Sequence, residues 1–188
     1  MKKNFYIEFI VLILLGLFSS LSLPPYNYIL INFITFSLFF ILLTKLSLTT
    51  KNKKISFLYG WLFGFGYFSS NLYWIPLSLT FDENFKFLIP IAIILVPAFL
   101  ALFYGLISYL FAILKPSKNL SSFFLFSLIF GTIEFLRGSI FTGFPWNLIA
   151  YSFSNYIEIL NITSIIGTYS FNLFCISLFT SPSIFILR

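Results

Sequence analysis

Two side chains of opposite charge, Glu134 and Arg137, stand three residues apart in the run GTIEFLRGSIFTGFPWN, residues 131–147. On a helix that spacing puts them on one face, where carboxylate and guanidinium can pair. The residues before and between them are mostly apolar, and a charge inside a membrane span is expensive to keep. Two readings follow. The pair either neutralises itself and lets Arg137 snorkel outward, or it contacts a lipid headgroup or a loop over the membrane. Pro145 then stops any helix, and Trp146 is of the type that settles at a membrane interface. Asn147 offers both a donor and an acceptor, for a headgroup or for the turn itself. Phe144, Pro145, Trp146 and Asn147 therefore read either as an interfacial turn or as a wall facing a substrate, and physics alone favours the turn.

Other chemistry is largely excluded. The chain has no histidine, which removes a histidine-based triad, imidazole-ligated haem and most zinc sites. Serines are plentiful, but no G-x-S-x-G elbow occurs. The single cysteine, Cys175, lies in SFNLFCISLF with no charged neighbour to lower its pKa, so it reads as a small core residue. The five acidic residues are scattered, and neither a metal cluster nor a cofactor is expected. Gly60 and Gly64 form a G-x-x-x-G pattern, extended by Gly66, that predicts close helix packing. Gly167 is read as packing too. Trp61, Tyr67, Tyr73 and Trp74 read as belt and packing residues, with Tyr73 and Trp74 level with the FTGFPWN turn.

The elements that must position these residues follow from hydropathy. The chain is 60% hydrophobic and 9% charged, with mean hydropathy +1.02. A soluble domain of 188 residues has too little interior to hide that much apolar surface. The fold class is all-α, a polytopic transmembrane helix bundle. About six spans can be read, near residues 5–23, 28–43, 55–75, 87–114, 120–141 and 162–187. The first has a basic start but contains Glu8 and lacks an A-x-A site, so it reads as an uncleaved helix rather than a signal peptide. Pro97 lies inside the fourth span, which is long enough to tilt or kink. Residues 142–161 are too polar and broken to span, and read as a partly helical segment at the outer interface.

The net charge of +6 does not point to nucleic acid, because the lysines sit in short loops between apolar spans. Lys2, Lys3, Lys45, Lys51, Lys53, Lys54, Lys115 and Lys118 fall on one side and Lys86 alone on the other. That bias places the amino terminus in the cytoplasm and the FTGFPWN turn outside.

The E-x-x-R-G element at Glu134–Gly138, the T-G-F-P-W run and the later SIIGTYSFN (residues 164–172) resemble the membrane half of bacterial apolipoprotein N-acyltransferases. The resemblance covers nearly the whole chain. It implies transfer of an acyl chain from a phospholipid donor to the amino group of a diacylated lipoprotein's terminal cysteine, in the bacterial inner membrane. The T-G-F-P-W match points to a substrate-facing wall at Phe144, Pro145, Trp146 and Asn147, and Glu134 and Arg137, whose motif speaks more to family than to chemical role, are expected beside it as substrate-binding residues. The family's catalytic cysteine, glutamate and lysine belong to a nitrilase-like domain and match no residue here. On this reading residues 1–188 form the amino-terminal membrane bundle, cut short before the last membrane helices and the catalytic domain, and are inactive alone. The competing expectation is a non-enzymatic membrane module that binds lipid or anchors a separately encoded catalytic subunit.

Overall fold

The computed structural model describes residues 5–50, 52–114, 116–117, 120–140 and 143–187. Lys2, Lys3, Lys51, Lys115 and Lys118, used above for orientation, and Thr142 of the turn lie outside the described residues. All regular structure among the described residues is helical. Six columns build an all-α membrane bundle: α1 (Phe5–Ser20), α2 (Ile31–Thr49), α3 (Lys53–Asn71), α4 (Ile89–Ile113), α5 (Leu120–Ser139), and a last column treated below. Three segments, Ile31–Thr49, Glu83–Ile113 and Leu120–Ser139, are long and apolar enough by themselves to cross a membrane. The 3-10 turns Ile75–Phe81 and Glu83–Leu88 join α3 to α4.

The boundaries differ from expectation where polar side chains finish helices. The second column runs on to Thr49, so Lys45 rides its last turns and the lysine loop contracts. Thr49 Oγ1 there donates to the Lys45 carbonyl over 2.9 Å. Asn52 caps α3 by accepting from the Lys54 N–H at 3.0 Å, and Asn71 closes it by donating to the Tyr67 carbonyl at 3.0 Å. The first satisfies a backbone N–H that a helix end leaves free, and the second adds a bond to a carbonyl of the closing turn.

The sixth span is corrected more deeply. It is divided into α7 (Thr163–Ile166), α8 (Thr168–Thr180) and α9 (Pro182–Leu187), following α6 (Ile157–Leu160). Gly167 separates the first two pieces with φ +82° and ψ 155°, a region essentially restricted to glycine. A Cβ placed there would meet nothing within 4 Å. Gly167 therefore serves backbone conformation, not packing as expected from the sequence.

The other glycine expectation holds. A Cβ on Gly60 would lie 2.1 Å from the Tyr104 carbonyl oxygen, and one on Gly64 would lie 2.8 Å from Tyr104 Cβ. The stripe lets α3 lie directly on α4, as small-residue interfaces do in membranes. Around this contact sits a core of rings. Phe39 stacks on Phe63 at 4.2 Å between centroids, and Tyr104 meets Phe130 edge-on at 4.9 Å. Phe126 reaches Phe40 at 5.1 Å. Such pairs each add about 0.5–1.5 kcal/mol beyond their buried area.

Candidate functional site

The last two turns of α5 carry Glu134 and Arg137 inward. Both side chains are fully buried, so the guanidinium does not snorkel. Arg137 Nε donates to Glu134 Oε1 at 3.1 Å and Nη2 donates to Oε2 at 2.6 Å, a two-pronged pair. Nη1 donates to the carbonyl oxygens of Phe144 at 2.7 Å and Trp146 at 3.1 Å. The guanidinium also lies 5.3 Å from the Phe68 ring centroid and 5.9 Å from that of Phe144. Burial is tolerable because the charges neutralise each other and their donors and acceptors are used.

Arg137 thus holds the turn that follows its own helix. The Phe144 N–H donates back to the Arg137 carbonyl at 3.0 Å. Gly143 adopts φ +80° and Asn147 φ +59°; glycine and asparagine are the residues that accept this left-handed region most readily. A Cβ on Gly143 would come within 2.5 Å of the Gly138 carbonyl oxygen, so the return of the chain onto α5 requires glycine. From α3, the Tyr67 hydroxyl donates to the Asn147 carbonyl at 2.8 Å. Trp74, just beyond α3, stacks on Trp146 at 5.3 Å with planes 18° apart. Tyr73 and Trp74 are level with the turn, as expected.

The segment expected at an outer interface is partly helical, with a 3-10 turn at Ile149–Phe153 and the short α6. Its middle is buried: Leu148, Ile149, Ala150 and Ser152 belong to the interior. A cluster of small polar side chains, not singled out in the sequence, anchors it. Asn32 Nδ2 donates to Ser22 Oγ at 2.8 Å and Ser152 Oγ at 3.2 Å, while Asn32 Oδ1 accepts from Ser19 Oγ at 2.7 Å. Asn172 Oδ1 in α8 accepts the Ala150 N–H at 3.0 Å. The sequence signal was present as polar residues at the ends of otherwise apolar spans. Asn32 and Ser152 lie 120 positions apart, a pairing that no local pattern could reveal.

Two hollows flank the turn. The larger, about 670 Å³, opens between the 20–26 turn, the end of α3 and the turn, with Tyr26, Asn71, Tyr73, Trp74, Trp146 and Asn147 on its walls. The second, about 330 Å³, is bounded by one face of α4 and by Arg137, Ile140, Gly143 and Phe144. Of the six expected site residues, Trp146 and Asn147 meet in the cleft, and Arg137 and Phe144 meet at the second hollow. Glu134 is buried against Arg137, and Pro145 is exposed on the turn between them.

Residues 15–179 match the family model described as the apolipoprotein N-acyltransferase N-terminal domain. The chain belongs to that family. Among curated relatives, the apolipoprotein N-acyltransferase of Rhizobium rhizogenes is 34% identical over 178 residues, 92% of this chain and 33% of that protein. That of Rhodopseudomonas palustris is 34% identical over 180 residues, 94% of this chain and 33% of its own length. That of Brucella melitensis is 33% identical over 175 residues, again covering 33% of the relative. The chain spans about a third of the length of the curated relatives it matches.

Within this acyltransferase-family domain, the cleft has an uncharged lining. No charged side chain lines it among the described residues; its polar groups are hydroxyls, amides and one indole pair. Tyr151, also on its wall, has its hydroxyl pKa raised by partial burial, then by Tyr169. It therefore stays a neutral donor at ordinary pH. Cys175 is buried in α8 and absent from both hollows. No group of three metal-ligating side chains occurs among the described residues.

Proposed function

We propose that this domain is the membrane-embedded portion of an apolipoprotein N-acyltransferase and that its cleft receives the lipid-bearing end of a substrate. In the reaction, the acyl carbon leaves a glycerol oxygen of the phospholipid and bonds to the amino nitrogen of the lipoprotein's diacylglyceryl-cysteine. The amine loses a proton, and the freed glycerol oxygen gains one. The domain sits in the bacterial inner membrane with its amino terminus in the cytoplasm, and the turn faces outside. Glu134 and Arg137 shape the substrate wall by fixing the turn, whereas Phe144, Pro145, Trp146 and Asn147 form it.

The observation that carries this reading is the cleft itself. It is walled by stacked indoles, tyrosines and asparagines and held by a buried ion pair, with no nucleophile and base facing one another among its described residues. That composition suits holding a molecule with an apolar body and a polar tip. The covalent steps are assigned to groups outside residues 1–188. The same absence favours the second reading, a non-enzymatic module that binds lipid or anchors a separate catalytic subunit.

The test uses the purified chain in nanodiscs with a diacylated lipopeptide and phosphatidylethanolamine. Headgroup-photolabelled phospholipid is expected to mark the peptide containing Trp146, without triacylated product. Product from the chain alone would overturn the assignment of the covalent steps. Labelling that avoids Trp146 would overturn the cleft.

A further inference from the structure

The second hollow shares no lining residue with the cleft, yet both abut the turn that Arg137 holds. Its long wall is a stripe on α4, Leu95, Val96, Phe99, Leu100 and Phe103, spaced so that all five fall on one face. At 1.5 Å per residue the stripe runs about 12 Å along the axis. Leu95 and Phe99 are 60% and 50% exposed, whereas Leu100 is 4% exposed, so the hollow has an open lip and a buried floor. This wall lies within Glu83–Ile113, a segment long and apolar enough to cross a membrane, so its mouth opens onto hydrocarbon.

We infer that this hollow is a seat for one acyl chain of a bilayer lipid, placed beside the turn that walls the cleft. The inference rests on the reading of this domain as one that handles lipid. A straight hydrocarbon chain matches both the surroundings and the length of the stripe. The lining is aliphatic and aromatic apart from Arg137, whose guanidinium is spent on Glu134 and on the carbonyls of Phe144 and Trp146. Its charge is therefore neutralised, and a headgroup finds nothing there to recognise. Phe144 lines the hollow, and its ring lies 6.0 Å from that of Trp146 in the cleft wall. An acyl chain in the hollow and a polar tip in the cleft would thus touch neighbouring residues of one rigid turn.

The test places the chain in phosphatidylcholine nanodiscs containing a trace of phosphatidylethanolamine with a diazirine at the end of one acyl chain. Photolabel is expected to concentrate on Phe99, Phe103 and Phe144 over Ile91 and Ile94, which face out from α4. Val96→Phe, which fills the hollow, should lower labelling at Phe103 and Phe144 about fivefold or more. Ile93→Phe, on the exposed face, should leave that labelling unchanged. Even labelling along α4, or equal responses to the two substitutions, would overturn the seat. Helicity and elution volume of each variant establish that it is folded. Headgroup labelling of Trp146 is read in parallel on the unsubstituted chain with the headgroup probe: its absence alone sinks the cleft reading, and absence of the acyl-chain label from Phe103 and Phe144 of the unsubstituted chain alone sinks the seat.

Discussion

Between α2, α3, α4 and α5 the bundle is held by rings: Phe39 on Phe63, Phe40 on Phe126, Tyr104 against Phe130. At the turn end it is held by directed bonds, those of Arg137 to Glu134 and the turn carbonyls, and those of Asn32 to Ser19, Ser22 and Ser152. Ring packing is collective and only weakly directional, so a nearly volume-conserving change is partly absorbed by its neighbours. Directed bonds in a low-dielectric interior give no such tolerance, since a removed partner strands a polar group. The ring region can drift in sequence and keep its shape, while the turn end fixes atoms to a fraction of an ångström. The binding wall proposed for the turn would need the second kind of construction.

The sharpest way to break this contrast is Arg137→Met. It strands Glu134 without a counter-charge and releases the Phe144 and Trp146 carbonyls, so a loss of about 3–5 kcal/mol is expected. Reversible unfolding of the detergent-solubilised chain would measure it, and Glu134→Leu added to Arg137→Met should recover part of the loss. If the single variant melts like the wild type, the pair does not hold the turn. A smaller effect belongs to Asn32→Ala, which leaves Ser19, Ser22 and Ser152 without their shared partner and should cost about 1–2 kcal/mol. Proteolysis at the 149–153 segment should quicken in step. The smallest is Phe39→Leu in the ring region, expected at about 1 kcal/mol with headgroup labelling of Trp146 unchanged. A larger loss from Phe39→Leu than from Asn32→Ala would reverse the comparison.

The columns were legible because apolar runs of helical length need no partner to be recognised, and the Gly60–Gly64 stripe because close helix packing leaves a local signature. Glu134 and Arg137 were also legible as a pair, since three-residue spacing decides it on any helix. Which way Arg137 pointed was not. Its other partners are backbone carbonyls of a turn whose path depends on Gly143 and Asn147 taking positive φ. Gly167 misled for a related reason: a glycine that packs and one that bends carry the same letter. The buried contacts of Ser22 and Ser152 were illegible because a serine in an apolar span looks alike whether it bonds its own helix or a residue 130 positions away.

The stack of Trp74 on Trp146 gives the molecule an optical reporter of its own. The chain has three tryptophans, and the third, Trp61, is occupied elsewhere, donating its indole N–H to the Ala98 carbonyl at 3.1 Å. Two indoles with centroids 5.3 Å apart are close enough to share their electronic excitation, and the twist between their in-plane transition moments sets the sign and size of the resulting doublet in ultraviolet circular dichroism. Whatever parts or tilts those rings alters the doublet, while Trp61 contributes a steady background. A ligand that parts or tilts the indoles of the cleft wall would therefore be read in light, with no label attached.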